Sequence, residues 1–258
     1  KNDKNILITE NKKSILKKIG LKLKSEVVDH NDYIGGRYSV LSEVGMLPAE
    51  LMGLNVNKFK QFNNLVKNKN FFNSIISNVA NILDLIRFKK FNSVILNYDE
   101  KSDNFLKWYQ QLVAESLGKK RYGILPIISS MPKDNHSLMQ LYLDGQKSNF
   151  YTFFYTHEKF SQKINSQNIP DEIKFLKKKS LNDILSSQIM ATQKVFKNKN
   201  IPFRSFTIKN RSEEALGELF SFFIIETILI AKALKINPYN QPAVELIKKE
   251  TKKILVNT

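Results

Sequence analysis

The sequence predicts an α/β fold, a three-layer αβα sandwich in which a parallel-type sheet is covered by helices on both faces. The first observation is that short apolar runs alternate with longer segments whose apolar residues recur every three or four positions. The second is the β-branched and aromatic content of the short runs, which is typical of buried strands. The third is size, because 258 residues with 42% hydrophobic composition can bury a large core.

The order of the elements follows from these patterns. The predicted strands of the main sheet are 93–98, 123–128, 150–155 and 202–208. The predicted helices between them are 104–117, 138–143 and 181–196. A long helical linker, 56–90, precedes the sheet, and two C-terminal helices, 212–234 and 241–256, follow it. Sheets of this kind bind ligands at the carboxyl ends of their strands.

The first thirty residues form a separate strand–helix–strand pattern, at 6–9, 12–23 and 26–29. This unit is too small to fold alone. We therefore interpret residues 1–30 as the last part of a truncated first domain and residues 31–258 as a second domain with its C-terminal helices. The chain starts at Lys1 rather than Met, so we expect it to be cut from a longer protein.

Composition excludes several classes of protein. The chain has no cysteine, and its three histidines are scattered, so no metal site is predicted. The net charge of +17 favours anionic ligands, but the lysines are spread along the chain and there are only five arginines, which argues against nucleic acid. The most apolar segment, 215–234, contains three charged residues, which indicates a core helix and no membrane contact. No signal peptide is predicted, and we expect a cytoplasmic protein.

Two segments in the first half of the chain have candidate functional residues. Gly35 and Gly36 would let the backbone approach a ligand closely, and Arg37 could present its planar guanidinium to an oxyanion. A tight turn with a surface arginine explains the same residues equally well. Glu115, near the end of a helix that Gly118 can terminate, is a candidate general base. A solvated glutamate at a helix end is the ordinary alternative.

Two further segments lie later in the chain. His136 follows a predicted strand in a loop at the carboxyl end of the sheet, where an imidazole can transfer protons. The alternative is an exposed histidine beside a helix N-cap. Gln241, Glu245 and Lys248 share one face of the last helix at spacings of four and three. An exposed Glu/Lys face is the default interpretation of such a triplet.

Together these segments resemble the glucose-6-phosphate isomerase (phosphoglucose isomerase) family. The stretch IGGRYSVLSEVGML at 34–47 looks like the first signature of that family, and INPYNQPAVELIKKE at 236–250 looks like the second. Between them, AESLGKK and DNHSLMQLYLDG resemble the short bacterial form of the enzyme. The resemblance extends from Ile6 to the end of the chain and implies a sugar isomerase (SIS) domain.

The resemblance implies an intramolecular oxidoreductase of glycolysis and gluconeogenesis that interconverts glucose 6-phosphate and fructose 6-phosphate through a cis-enediol(ate). Glu115 would be the base that moves the proton between C1 and C2, and Arg37 would stabilise the enediolate. His136 and Lys248 would assist ring opening, and Gly35, Gly36, Arg37 and Gln241 would bind substrate. The resemblance implies no cofactor and no metal. It also implies a homodimer in which His136 acts in the site of the other subunit.

One feature of the family is missing from this sequence. The family's phosphate-binding loop, rich in Ser and Thr, has no counterpart of the type Ser-x-Thr-x-Thr in the chain, and we expect that loop to lie before Lys1. We therefore expect the 258-residue chain alone to have little activity. Three alternatives remain open: a non-catalytic sugar-phosphate-binding SIS module, a dual isomerase that also accepts mannose 6-phosphate, and a basic nucleic-acid-binding protein.

Overall fold

A computed structural model of the chain describes residues 5–158, 160–165, 167 and 169–257. The chain divides into two compact units. The first, called here the helical unit, comprises 1–79, 115–122 and 212–258, and the second, the sheet unit, comprises 80–114 and 123–211. The predicted domain boundary after residue 30 lies inside the helical unit and stays a prediction; the first four residues of that predicted domain lie outside the described residues.

A four-stranded parallel sheet forms the centre of the sheet unit. Its strands are β3 (Asn92–Asn97), β4 (Leu125–Ser130), β5 (Asn149–Thr156) and β6 (Phe203–Ile208), in the spatial order β4-β3-β5-β6. All three pairings are parallel. The four predicted strands are therefore confirmed, with ends shifted by up to two residues. The chain passes from β3 to β4 on one side and then from β4 to β5 on the other side of β3. The strand order therefore reverses between β3 and β5, which is where such sheets form a ligand crevice.

Helices cover both faces of this sheet, which gives the predicted three layers. On one face Leu96, Tyr151 and Phe153 pack with buried residues of α8 (Met139–Asp144) and α9 (Leu181–Asn198). On the other face the ring of Phe154 stacks on Phe105 of α6 (Asp103–Leu117), with centroids 5.8 Å apart. Neighbouring residues of each strand point to opposite faces, so both sides of β3 and β5 are apolar.

A polar network lies at the carboxyl ends of β3 and β5. The buried carboxylate of Asp99 accepts hydrogen bonds from Ser102 Oγ, from Thr156 Oγ1 at 2.9 Å and from the Arg211 guanidinium. Burial alone would raise the pKa of Asp99, but these hydrogen bonds outweigh it and hold the pKa below its usual value. The network fixes the loops that leave this edge of the sheet.

The helical unit contains a small parallel sheet and most of the helices. Strands β1 (Ile6–Glu10) and β2 (Glu26–His30) pair in parallel, and α1 (Ile15–Leu23) connects them. The predicted strand–helix–strand pattern is therefore confirmed. A 3₁₀ helix (Gly36–Leu41) and α2 (Glu43–Leu51) follow. The two C-terminal helices are α10 (Glu213–Ala233) and α11 (Pro242–Asn257). Among the described residues no helix is long and apolar enough to cross a bilayer.

The predicted helical linker at 56–90 is divided into three helices. These are α3 (Val56–Phe59), α4 (Phe62–Lys67) and α5 (Lys69–Arg87). The break between α4 and α5 has a local cause, because an asparagine side chain can bind the free backbone amides at a helix start. Asn68 Oδ1 accepts from the amides of Asn70 and Phe71. Asn55 Oδ1 accepts from the amide of Asn57 in the same way, at the start of α3.

The core of the helical unit depends on a close approach between α3 and α10. Met46, Ala49 and Phe59 form a buried cluster on which Leu216 and Phe220 of α10 pack. Gly217 faces this cluster, and a Cβ placed on it would meet the backbone of Phe59, with the carbonyl carbon at only 2.9 Å. A backbone obstacle cannot move aside as a side chain could, so α10 can pack here only with glycine at this position.

We therefore predict that Gly217→Ala destabilises the protein although alanine favours helix. Helix propensity alone would raise the free energy of unfolding by up to about 1 kcal/mol. Overpacking against Phe59 costs about 1–3 kcal/mol, so we expect a net decrease, measured by urea unfolding. A variant as stable as the wild type, or more stable, would show that α3 and α10 separate without cost.

Candidate active site

Arg37 is the centre of a hydrogen-bonded cluster in the helical unit. It lies on the 3₁₀ helix Gly36–Leu41, and its side chain is only 2% exposed. Its five N–H groups are matched by five acceptors. Nε donates to Ser116 Oγ at 2.8 Å, Nη1 to Glu115 and Gln241, and Nη2 to two backbone carbonyls. The alternative of a surface arginine in a tight turn is therefore excluded.

Glu115 is the ionic partner of this arginine. Its Oε2 lies 3.1 Å from Arg37 Nη1, and its side chain is 27% exposed. The difference in exposure within the pair is chemically useful. The guanidinium is fixed and buried, whereas the carboxylate can contact a ligand on the side that is open to solvent.

Ser116, Tyr38 and Pro238 complete a closed ring of hydrogen bonds with Arg37. The Tyr38 hydroxyl donates to the Pro238 carbonyl at 3.3 Å, so Ser116 Oγ donates to Tyr38 Oη at 2.9 Å and accepts from Arg37 Nε. Arg37 Nη2 donates to the same Pro238 carbonyl at 2.5 Å and closes the ring. Burial raises the pKa of Tyr38, against the hydrogen bond from Ser116 and the Arg37 charge. The phenol therefore remains a donor.

The turn between α10 and α11 supplies the remaining partners of Arg37. Helix α10 ends at Ala233 and Lys235 follows with a φ of 55°. Asn237 Oδ1 accepts from the amide of Tyr239 at 2.8 Å, which holds the turn. The carbonyls of Pro238 and Asn240 and the Oε1 atom of Gln241 then face Arg37. The amide oxygen of Gln241 is engaged at 3.0 Å, so its NH₂ group is left to donate elsewhere.

Lys119 joins two of these segments. Its Nζ donates to the Ser116 carbonyl at 3.0 Å and to the Asn237 carbonyl at 2.6 Å. Burial, followed by the charge of Arg37, lowers the pKa of Lys119 to about 8, and Glu115 opposes this change. The ammonium therefore loses its proton in mildly alkaline solution.

The two candidate glycines have ordinary backbone conformations. Gly35 has φ −65° and ψ 151°, so neither a tight turn nor a positive φ requires glycine there. A Cβ on Gly35 would be 3.9 Å from the Tyr239 carbonyl, which is an ordinary contact, and one on Gly36 would meet nothing within 4 Å. Their role as substrate-binding residues stays a prediction.

The other two candidates lie outside the Arg37 cluster. His136 belongs to the sheet unit, in the short helix α7 (Asp134–Ser137) after β4, and is exposed. Lys248 lies on α11, where its Nζ is 2.7 Å from Glu245 Oε1 and its side chain is 62% exposed. The structure thus brings together Arg37, Glu115 and Gln241, and shows Lys248 in a surface ion pair.

Sequence reasoning missed the supporting residues of the cluster. Tyr38, Ser116 and Lys119 all belong to the motif stretches, at positions next to or near the predicted residues. The available signal for these residues was that each lies close in sequence to Arg37 or Glu115 within a motif. The described part of the chain contains no group of three or more His, Asp or Glu side chains placed to hold a metal ion.

Comparison with known proteins identifies the family of the chain. The phosphoglucose isomerase family model matches residues 2–125. The glucose-6-phosphate isomerase of Methanocaldococcus jannaschii is 33% identical over 244 residues, which cover 89% of this chain and 60% of the relative. That of Mycoplasmopsis pulmonis is 35% identical over 235 residues, covering 87% and 54%. The chain therefore spans a little over half the length of these relatives.

Solved structures show the same fold. A hypothetical protein of Thermus thermophilus superposes with a TM-score of 0.86 at 24% identity, over 97% of this chain and 62% of that one. A glucose-6-phosphate isomerase of Chlamydia trachomatis gives a TM-score of 0.75 at 17% identity, over 97% and 52%. The chain thus shares its fold with these two structures. The family model at residues 2–125 and the sequence matches assign the chain to the phosphoglucose isomerase family.

We predict that Ser116→Ala and Tyr38→Phe destabilise the protein in a coupled way. The first leaves the buried Arg37 Nε–H without its acceptor, which costs about 1–3 kcal/mol of unfolding free energy. Both variants break the same Ser116–Tyr38 hydrogen bond. The double variant should therefore lose less unfolding free energy than the two single variants lose together, by at least about 0.5 kcal/mol. Urea unfolding measures all three, with exposed Ser74→Ala as control. Strictly additive losses would refute the ring.

Proposed function

We propose that the protein containing this chain is an isomerase that interconverts glucose 6-phosphate and fructose 6-phosphate. The observation that carries the proposal is that one buried guanidinium, that of Arg37, binds both Glu115 and Gln241. A fixed cation beside a partly exposed carboxylate suits proton abstraction next to a carbonyl, where negative charge develops on oxygen. The relatives from Methanocaldococcus jannaschii and Mycoplasmopsis pulmonis are glucose-6-phosphate isomerases, which supports this choice of substrate.

In the proposed reaction Glu115 is the base. Its carboxylate takes the proton from C2 of the open-chain aldose, and the electron pair of that C–H bond forms the C1–C2 double bond of an enediolate. A proton then passes from the C2 hydroxyl to the C1 oxygen, Glu115 returns its proton to C1, and the electrons of the C2 oxyanion form the carbonyl of the ketose. No oxidant, reductant or net proton is needed, and the side of Glu115 open to solvent gives access to the sugar.

Arg37 and Gln241 would stabilise the enediolate. All five donors of Arg37 are engaged in the protein, so its contribution is a fixed positive field unless the substrate oxygen replaces an acceptor. Gln241 offers a direct contact. Since Arg37 holds its amide oxygen, the NH₂ group is oriented away from the arginine and can donate to the charged oxygen.

His136 and Lys248 would exchange protons with the ring and anomeric oxygens during ring opening, as the family resemblance implies. Both side chains are exposed, and the ion pair of Lys248 with Glu245 is a surface pair at i, i+3. Such a pair is worth only about 0.2–0.5 kcal/mol, so Lys248 can exchange it for a substrate oxygen at little cost. In a homodimer, His136 would serve the site of the other subunit.

The chain spans a little over half the length of its relatives, and the proposed activity is that of the whole protein that contains it. No Ser-x-Thr-x-Thr stretch occurs in these 258 residues, which supports low activity of this chain by itself. Activity is therefore best measured on the protein as its gene encodes it. A cytoplasmic location and a role in glycolysis are part of the same proposal, and side activity on mannose 6-phosphate is an open alternative.

The exchange of the C2 proton tests the role of Glu115. We expect Glu115→Gln to lower kcat by at least about a thousandfold and to abolish deuterium incorporation from D₂O, because an amide cannot accept the proton. Binding of substrate should change little. Glu50→Gln, which changes an exposed carboxylate on α2, is the matched control. Exchange by Glu115→Gln at the wild-type rate would refute Glu115 as the base, whereas no exchange by the wild type would favour a non-catalytic sugar-phosphate-binding module.

Mixing two inactive variants tests the shared site. If His136 acts in the other subunit, Glu115→Gln and His136→Asn proteins mixed, unfolded and refolded at equal concentration should recover about a quarter of wild-type activity, because half of the dimers are mixed and each has one intact site of two. Each variant refolded alone is the control. No recovery, in a mixture shown to contain mixed dimers, would mean that His136 acts within its own subunit or not at all.

A further inference from the structure

We propose that Lys119 is a positioning residue of this site, which holds the turn 237–241 against the end of helix α6 and thereby fixes the partners of Arg37. The inference rests on the proposed function for its kinetic consequences only. Its structural content, that one ammonium joins the segment carrying Glu115 to the segment carrying Gln241, can be tested without any substrate.

The geometry of Lys119 supports this role. The ammonium bridges two carbonyls, at 3.0 Å from Ser116 O and 2.6 Å from Asn237 O, which lie 121 residues apart in the sequence. Ser116 O is one of the last carbonyls of α6, which have no partner within the helix. A lysine that only complemented the helix end would need that one bond. The shorter bond goes to the turn.

Asn237 begins the turn that carries three of the five acceptors of Arg37. The carbonyls of Pro238 and Asn240 accept from Arg37 Nη2, and Gln241 Oε1 accepts from Nη1. All three acceptors follow Asn237 within four residues. Loss of the Lys119 bond would release the start of this turn, and Arg37 would lose the geometry that points it at Glu115.

The charge of Lys119 makes the connection sensitive to pH. The charged side chains that act on it are Arg37 on the 3₁₀ helix and Glu115 on α6. The turn that contains Lys119 also contains the charged residues Lys120 and Arg121, and the turn 237–241 has no charged residue. The Tyr38 ring lies under the Arg37 guanidinium and is tilted by 52° to the ring of Tyr239. With the pKa of Lys119 near 8, the ammonium donates charge-assisted bonds at neutral pH and weaker neutral ones above it.

The experiment compares Lys119→Met, Lys119→Arg and Lys120→Met. Methionine keeps the length of the side chain and removes the donors, arginine keeps a charge that does not titrate, and Lys120 is an exposed lysine of the same turn. Hydrogen–deuterium exchange of the amides at 237–241 is measured first. We expect about tenfold faster exchange in Lys119→Met, partial or full recovery in Lys119→Arg, and no change in Lys120→Met.

Kinetics of the protein as its gene encodes it are measured second. We expect Lys119→Met to lower kcat about tenfold with KM within about twofold. The wild type and Lys120→Met should lose activity as the pH rises through about 8. Lys119→Arg should lack this alkaline loss, which a residue that only stabilised the fold would not remove.

The outcomes separate the inference from the proposed function. Equal exchange and equal kcat in Lys119→Met and Lys120→Met overturn the inference and leave the isomerase intact. A wild-type protein inert toward glucose 6-phosphate overturns the proposed function, and amide exchange alone then decides the role of Lys119. If Lys119→Met does not fold, the pH dependence of Lys119→Arg decides. Loss of activity above about pH 8 in Lys119→Arg overturns the inference, and activity that persists there supports the inference.

Discussion

The buried guanidinium of Arg37 is the constraint on which the candidate site depends. Removing a charge from water costs several kcal/mol unless each polar atom finds a partner. Here five N–H groups meet five acceptors, taken from the end of α6 and from the turn after α10. Both segments must therefore come to Arg37 whenever the helical unit folds. The positions of Glu115 and Gln241 follow from the requirements of one cation.

A buried ion pair is by itself weak evidence for either stability or function. Two features of this pair favour function. The carboxylate is much more exposed than its partner, 27% against 2%, so it is accessible on one side. In addition, the acceptors include one neutral amide, Gln241, whose remaining NH₂ group is oriented by the arginine. A purely structural pair has no need of an exposed base or of an oriented donor.

The sequence was sufficient for the sheet but only in part for the site. Parallel strands such as β3 and β5 are apolar on both faces, so their residue types identify them without knowledge of their neighbours. The break at Asn68 depends on side-chain hydrogen bonds that a helical period does not record. Ser116 was missed because a serine in a helix is usually unremarkable, and its role appears only when Arg37, 79 residues earlier, lies beside it. The carbonyls of Pro238 and Asn240 left no signal, since every residue has a carbonyl.

The contrast between the ion pairs of Arg37 and Lys248 has a chemical meaning. Electrostatic stabilisation of a transition state requires groups that are already in place, because reorganising them during the reaction would raise the barrier. Arg37 meets this requirement, being buried and held by five bonds. Proton transfer to ring oxygens has the opposite requirement, since the donor must reach a sugar that enters and leaves. Lys248, in an exposed pair with Glu245, can change partner for a few tenths of a kcal/mol. In the proposed reaction, the fixed cation would serve enolisation and the adaptable one would serve ring opening.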